Sequence, residues 1–154
     1  MKRLFFILII ALSLPGLSQN YNTAIGVRAG NQSGLTIKHF MGSDKAIEGI
    51  LSFYYHNGAT LTGLWTINKK AFDVDRLNWS YGLGVHVGFW DDEYYYYHDH
   101  YNHMSLGIDG ILGLEYTIKE IPFNIGIDIK PFFDVYEHAG FYGAAALSIR
   151  YILK

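Results

Sequence analysis

The chain has 154 residues, with twelve Lys and Arg against fourteen Asp and Glu, 17% aromatic residues, seventeen glycines, three prolines and no cysteine. The length suits one domain. A formal charge of −2 without a basic patch argues against nucleic acid as a partner, and the missing cysteines exclude a disulfide framework.

Met1-Lys2-Arg3 is a basic start, Leu4–Leu14 an apolar run, and Pro15-Gly16-Leu17-Ser18 a small-residue segment. These are the three parts of a secretory signal peptide. The predicted leader is residues 1–18, cleaved after Ser18, and the exported domain is residues 19–154. The apolar run is shorter than the roughly 20 residues that a membrane-spanning helix needs.

The rest alternates with a period of two, the signature of β-strands. Ile25, Val27 and Ala29 share one face opposite Gly26 and Arg28. After a turn at Gly30–Gly34, Leu35, Ile37 and His39 oppose Thr36 and Lys38. A turn at Met41–Asp44 precedes Ile47, Gly49, Leu51, Phe53 and Tyr55, which alternate with Glu48, Ile50, Ser52 and Tyr54. His56-Asn57-Gly58 reads as a tight hairpin turn, because Asn-Gly supplies positive φ angles. Leu61, Gly63, Trp65 and Ile67 follow, and Lys69–Arg76 reads as a charged connection. From Leu77 to Phe89 every odd residue is apolar or aromatic, and every even one is small or polar. Asp91–Met104 is the longest polar segment. Leu106 to Ile118, Phe123 to Phe133 and Ala144 to Leu153 complete a predicted set of eight strands in sequence, with no helix between them.

A period of two leaves open which face points inward. Three features favour an apolar face turned to lipid. The apolar positions carry no Asp, Glu, Lys or Arg, and a charge there would cost about 2–4 kcal/mol at mid-bilayer. The opposite face is dense in small residues, among them Gly26, Gly82, Gly84, Gly88, Gly107, Gly113, Gly126, Ala144 and Ala146. Such residues make room where eight strands leave an interior only wide enough for side chains. The charges on that face also balance: Arg28, Lys38, Lys130 and Arg150 against Glu48, Asp109, Glu115 and Asp128. An enclosed unpaired charge is costly, so a closed lumen needs this balance. With His86 they form a predicted lumen charge network, in which Arg150 lies between Glu115 and Asp128 and His86 opposite Asp109. The fold class predicted is all-β: a closed, antiparallel, up-and-down, eight-stranded transmembrane β-barrel with a side-chain-plugged lumen.

If the N-terminus is periplasmic, Trp79, Tyr81, Tyr116 and Tyr151 fall near the inner membrane interface, and Phe89 and Phe133 near the outer one. Two aromatic girdles are expected of such a barrel. The stretches Trp79–Phe89, Ile108–Tyr116 and Ala146–Tyr151 resemble strands of the small eight-stranded outer-membrane barrels, the OmpA/OmpX/OmpW-like superfamily. That resemblance implies an outer-membrane location, surrounding outer-membrane lipid, and the barrel insertion machinery as a partner. Such barrels usually end on an aromatic residue; here Leu153 stands in that place.

The polar segment holds five tyrosines, Tyr94, Tyr95, Tyr96, Tyr97 and Tyr101. Tyrosine-rich loops suit adaptable surface recognition, so the segment is the expected contact region for an extracellular ligand or surface partner. His98, His100 and His103 with nearby carboxylates are a weak alternative Zn²⁺ or Cu²⁺ site. The reading assigns no catalytic residue, cofactor or resident metal. Two rivals stand beside it. One is a soluble, exported, lipocalin-like barrel with its apolar face turned inward around a ligand. The other is a barrel enzyme acting on lipid A or phospholipid, which would need converging Ser, His and acid. His39 lies apart from Ser80 and Ser148 on the opposite face, which speaks against the enzyme.

Overall fold

The computed structural model describes residues 22–54, 58–91, 102–136 and 139–153. The leader and its cleavage site lie outside these residues. Eight strands form in chain order: β1 (Thr23–Gly30), β2 (Ser33–Phe40), β3 (Lys45–Tyr54), β4 (Gly58–Lys70), β5 (Leu77–Asp91), β6 (Asn102–Thr117), β7 (Phe123–Asp134) and β8 (Gly140–Leu153). Each pairs antiparallel with its sequence neighbour. β8 closes on β1, Thr23 meeting Leu153 and Gly30 meeting Ala146. The result is a closed eight-stranded up-and-down barrel without a free edge.

Strand ends differ from the sequence pattern by a few residues. Ser33 and Gly34, placed in a turn by their composition, pair with Phe53 and Ser52 and belong to β2. Lys69 and Lys70, placed in the charged connection, pair with Trp79 and Asn78, so the β4–β5 connection shrinks to residues 71–76. His103 and Met104, placed in the long polar segment, pair with Trp90 and Phe89 in the β5–β6 ladder. In each case the ladder of a neighbouring strand recruits polar residues whose own propensity is weak.

Alternation survives closure. Outward positions are apolar and exposed: Val27, Leu35, Leu61, Val85, Ile108, Ile127, Leu147 and Ile149 among others, with Leu83 75% exposed. Inward positions are polar or small, and the largest fully buried side chains are Arg150, Lys38 and Lys130. Ile50, Leu64 and Ile111 form a small apolar cluster inside. This is inverted relative to an ordinary soluble domain, in which charged residues are almost never fully buried unless paired.

Two local features show how tightly the wall is built. Gly82 of β5 faces inward, where an added Cβ would lie 2.0 Å from the Trp65 carbonyl oxygen and 2.8 Å from the Thr66 Cα. Backbone would have to move to admit it. Gly82→Ala is expected to cost about 1–3 kcal/mol, the usual penalty of overpacking. Thermal unfolding in detergent would read this, and unchanged stability would show a looser wall. On β7, Pro131 has no N–H to donate, and the β6–β7 ladder skips from Asp109–Phe132 to Leu112–Ile129 around it. Gly110 stands opposite, where a Cβ would touch the Pro131 ring at 3.4 Å, close to ordinary van der Waals contact.

The barrel has two rims. The first carries the start of β1, the end of β8 and the turns at 41–44, 71–76 and 118–122; the second carries the other four connections.

Candidate functional site: the charged barrel interior

All nine residues of the predicted charge network are buried: Arg28, Lys38, Glu48, His86, Asp109, Glu115, Asp128, Lys130 and Arg150. They reach one another because alternate residues of eight converging strands share a narrow interior. They do not form one continuous set but three groups along the barrel axis.

The group nearest the first rim is built on Arg150 of β8. Its Nη2 donates to Glu48 Oε1 at 2.5 Å, and its Nη1 to Glu115 Oε1 at 3.4 Å and Asn124 Oδ1 at 3.2 Å. Lys38 Nζ donates to Glu115 at 2.6 Å, Asn68 Oδ1 at 2.8 Å and Ser80 Oγ at 3.0 Å, which uses all three ammonium protons. Thr36 Oγ1 donates to Glu48 at 2.8 Å. Glu115 therefore joins the two cations and is shared by both.

The second group is a single bidentate pair. Arg28 Nη1 and Nη2 donate to the two oxygens of Asp128 at 2.6 and 2.7 Å. This corrects the predicted pairing: Asp128 belongs to Arg28, and the carboxylates on Arg150 are Glu48 and Glu115. The guanidinium fork fits a carboxylate in two parallel bonds, and the closure of β8 on β1 brings Arg28 beside Ser148 and within reach of β7.

The third group lies toward the second rim. Asp109 accepts from Lys130 Nζ at 2.7 Å on one oxygen and pairs with His86 Nδ1 at 2.7 Å on the other. His86 Nε2 meets Asp134 Oδ1 at 2.7 Å. Lys130 Nζ also donates to Thr62 at 3.3 Å and lies 5.1 Å from the Phe132 ring centroid. Phe132 meets the His86 ring edge-on at 5.5 Å and stacks on Tyr142 at 5.6 Å. With a carboxylate on each side, a His86 ring that donates from both nitrogens is an imidazolium. The five carboxylates of the three groups then face five cations.

Asp134 was not among the predicted network residues, although the alternation from Lys130 puts it on the same face. Asn68, Asn124, Thr36 and Thr62 were also missed as partners; their inward positions were legible, but their cross-barrel contacts were not. Among the described residues, Arg28 Nε, Glu48 Oε2, Ser52 Oγ and Ser148 Oγ are buried without a hydrogen-bond partner.

The outward aromatics sort by rim. Tyr81, Tyr116 and Tyr151 lie exposed near the first rim, and Phe89 and Phe133 near the second. Trp79 is half-buried near the first rim, its ring 5.4 Å from that of Phe72. His39 is exposed, with Nδ1 2.9 Å from Thr23 Oγ1. Ser80 is buried inside against Lys38, and Ser148 is buried inside. Tyr94, Tyr95, Tyr96, Tyr97, Tyr101, His98 and His100 lie outside the described residues, whereas His103 is half-buried in β6. Among the described residues no group of three or more His, Cys, Asp or Glu is placed to hold a metal ion.

No protein-family model matches the chain, and no curated protein matches it. Among solved structures it is similar to the N-terminal β-barrel domain of Pseudomonas aeruginosa OprF, with a TM-score of 0.65 over 87% of this chain and 100% of that one. The chain has the fold of that barrel domain. Only 10% of residues are identical, so the likeness is one of fold.

Proposed function

We propose that this protein is an outer-membrane barrel, with its apolar face in lipid and its lumen closed by the three charged groups rather than open as a pore. The observation that carries this reading is the inversion of burial: Leu, Ile and Val outside, Arg, Lys and Glu inside. A soluble lipocalin-like barrel needs the opposite sense, with an apolar interior around its ligand. An exposed apolar wall of this extent would drive aggregation in water, whereas in a bilayer it is the ordinary lipid-facing band. The resemblance to the small outer-membrane barrels, and the fold shared with the OprF domain, support the same location.

The role we assign is structural or surface-interacting, with the tyrosine-rich segment 91–104 as the contact region. Insertion would use the barrel insertion machinery. No catalysis is assigned: His39 on the outer wall is separated by that wall from Ser80 and Ser148 inside. Partition with outer membranes and heat-modifiable mobility on a gel test the location. Recovery as a soluble periplasmic protein would overturn it.

Leu83 offers a sharper test. It sits at the middle of β5 and is 75% exposed. On a water-facing wall Leu83→Arg would change stability by no more than about 0.5 kcal/mol. In a bilayer it is expected to cost about 2–4 kcal/mol. Denaturant unfolding from vesicles separates the two, and a neutral effect would return the wall to water.

A further inference from the structure

The β4–β5 connection departs from an ordinary polar turn. Phe72 and Asp73 both have left-handed backbone, φ 51° and 52°, and Arg76 has φ 69°. Glycine or asparagine takes such positions at little cost; in a bulky residue the Cβ crowds the following carbonyl. Phe72 nevertheless occupies one and is 69% exposed. The turn is not loose. Ala71 is fully buried, its N–H donates to Leu77 O at 2.8 Å, Val74 N–H donates to Ala71 O at 3.0 Å, and Thr117 N–H donates to Arg76 O at 3.0 Å. Lys70 and Asp75 pair across it at 2.8 Å, and the bond from Lys70 holds the Asp75 carboxyl below its usual range. The strained backbone thus holds the phenyl ring out on the barrel's flank, against Trp79.

We propose that this turn docks into the headgroup layer of a phospholipid leaflet, with Phe72 as the apolar anchor. The ring extends the first-rim aromatic band of Trp79 and Tyr81 beyond the strand ends. Lys69 and Arg76, both exposed, flank it, and with Lys70 they outnumber Asp73 and Asp75, a balance that suits anionic phosphate. Trp and Tyr rings collect at the headgroup level, a Phe ring beside them enters the headgroup/acyl boundary, and basic side chains reach the phosphates from there. The flank position decides between lipid and a periplasmic protein: a surface for a protein below the barrel would point along the axis, away from Trp79.

The inference rests on the membrane reading, and the test separates the two. The chain has no cysteine, so single cysteines can carry a nitroxide without background. Val74→Cys, Leu83→Cys and Ser43→Cys, all keeping Phe72, are labelled and refolded into phosphatidylethanolamine/phosphatidylglycerol vesicles. Collision with oxygen and with a water-soluble nickel complex then reports depth. The expected result is hydrocarbon at 83, water at 43, and the headgroup boundary at 74, with 74 moving to water when Phe72→Ser is added. Water at 74 with hydrocarbon at 83, or a depth at 74 that Phe72→Ser leaves unchanged, overturns the anchor alone; water at 83 overturns the membrane reading itself. If Val74→Cys does not refold, Asp73→Cys on the same turn takes its place, with the same outcomes.

Discussion

Arg150→Leu is expected to destabilise the barrel by about 3–5 kcal/mol, the cost of removing one member of a buried ion pair. Glu48 is 0% exposed. Without Arg150 its remaining hydrogen bond is from Thr36, and water cannot reach it to compensate. Glu115 would still be bound by Lys38, so the cost falls on Glu48. That makes the experiment specific. Glu48→Gln removes the stranded charge, and the double variant Arg150→Leu with Glu48→Gln should recover a large part of the loss. The readout is the unfolding temperature in detergent, followed by the gel shift between folded and unfolded forms. A single variant as stable as the natural chain would show that Arg150 is not the hub of the interior. Equal destabilisation of single and double variants would show that the loss comes from packing and not charge.

Asp109→Leu is expected to cost about as much, about 3–5 kcal/mol, but through the opposite sign of charge. Lys130 is 1% exposed, and its other hydrogen bond is the longer one to Thr62. Losing Asp109 leaves an ammonium buried against one hydroxyl and the Phe132 face. His86 keeps Asp134, so its ring remains held at one nitrogen. Asp109→Asn retains an acceptor of the same shape and should lose less than the leucine variant. Lys130→Met placed on Asp109→Leu should restore part of the stability, because an apolar side chain can replace a buried ion at little cost. Denaturant midpoints at constant pH measure all three. A leucine variant that unfolds with the natural midpoint would mean that the His86 group contributes nothing to closing the barrel.

These two variants act in separate groups. Along β7, Asn124, Asp128, Lys130 and Asp134 rise from one rim to the other: Asn124 joins the Arg150 group, Asp128 the Arg28 pair, and Lys130 and Asp134 the His86 group. Their effects should therefore add when combined, as expected of sites without shared partners.

Much of the architecture was legible in the sequence, for a physical reason. A strand presents alternate residues to opposite faces, so Leu77–Phe89 had to place its apolar and polar residues on two surfaces. The glycines at 82, 84 and 88 marked the crowded side, because only a tight interior needs so many missing side chains. The charged residues of the interior were also legible by face, and so was Asp134, which the same alternation put inside. The strand ends were less clear: Ser33, Lys70 and His103 join strands because a neighbour pairs with them, which no local pattern announces.

Pairing inside the barrel was legible only in part: His86 meets Asp109 and Arg150 meets Glu115 as expected, but Asp128 goes to Arg28 and not to Arg150. Arg28 meets Asp128 and Glu48 meets Arg150 across about a hundred residues of chain. Whether two inward side chains meet depends on their height along the axis, and height accumulates from the register of every ladder between them. A shift of two residues in any one ladder keeps every face unchanged and moves every partner. The sequence by itself determined which residues face the interior, because the two-residue period belongs to each strand alone. Only the closed barrel decided which of them touch, because closure sums all eight registers at once.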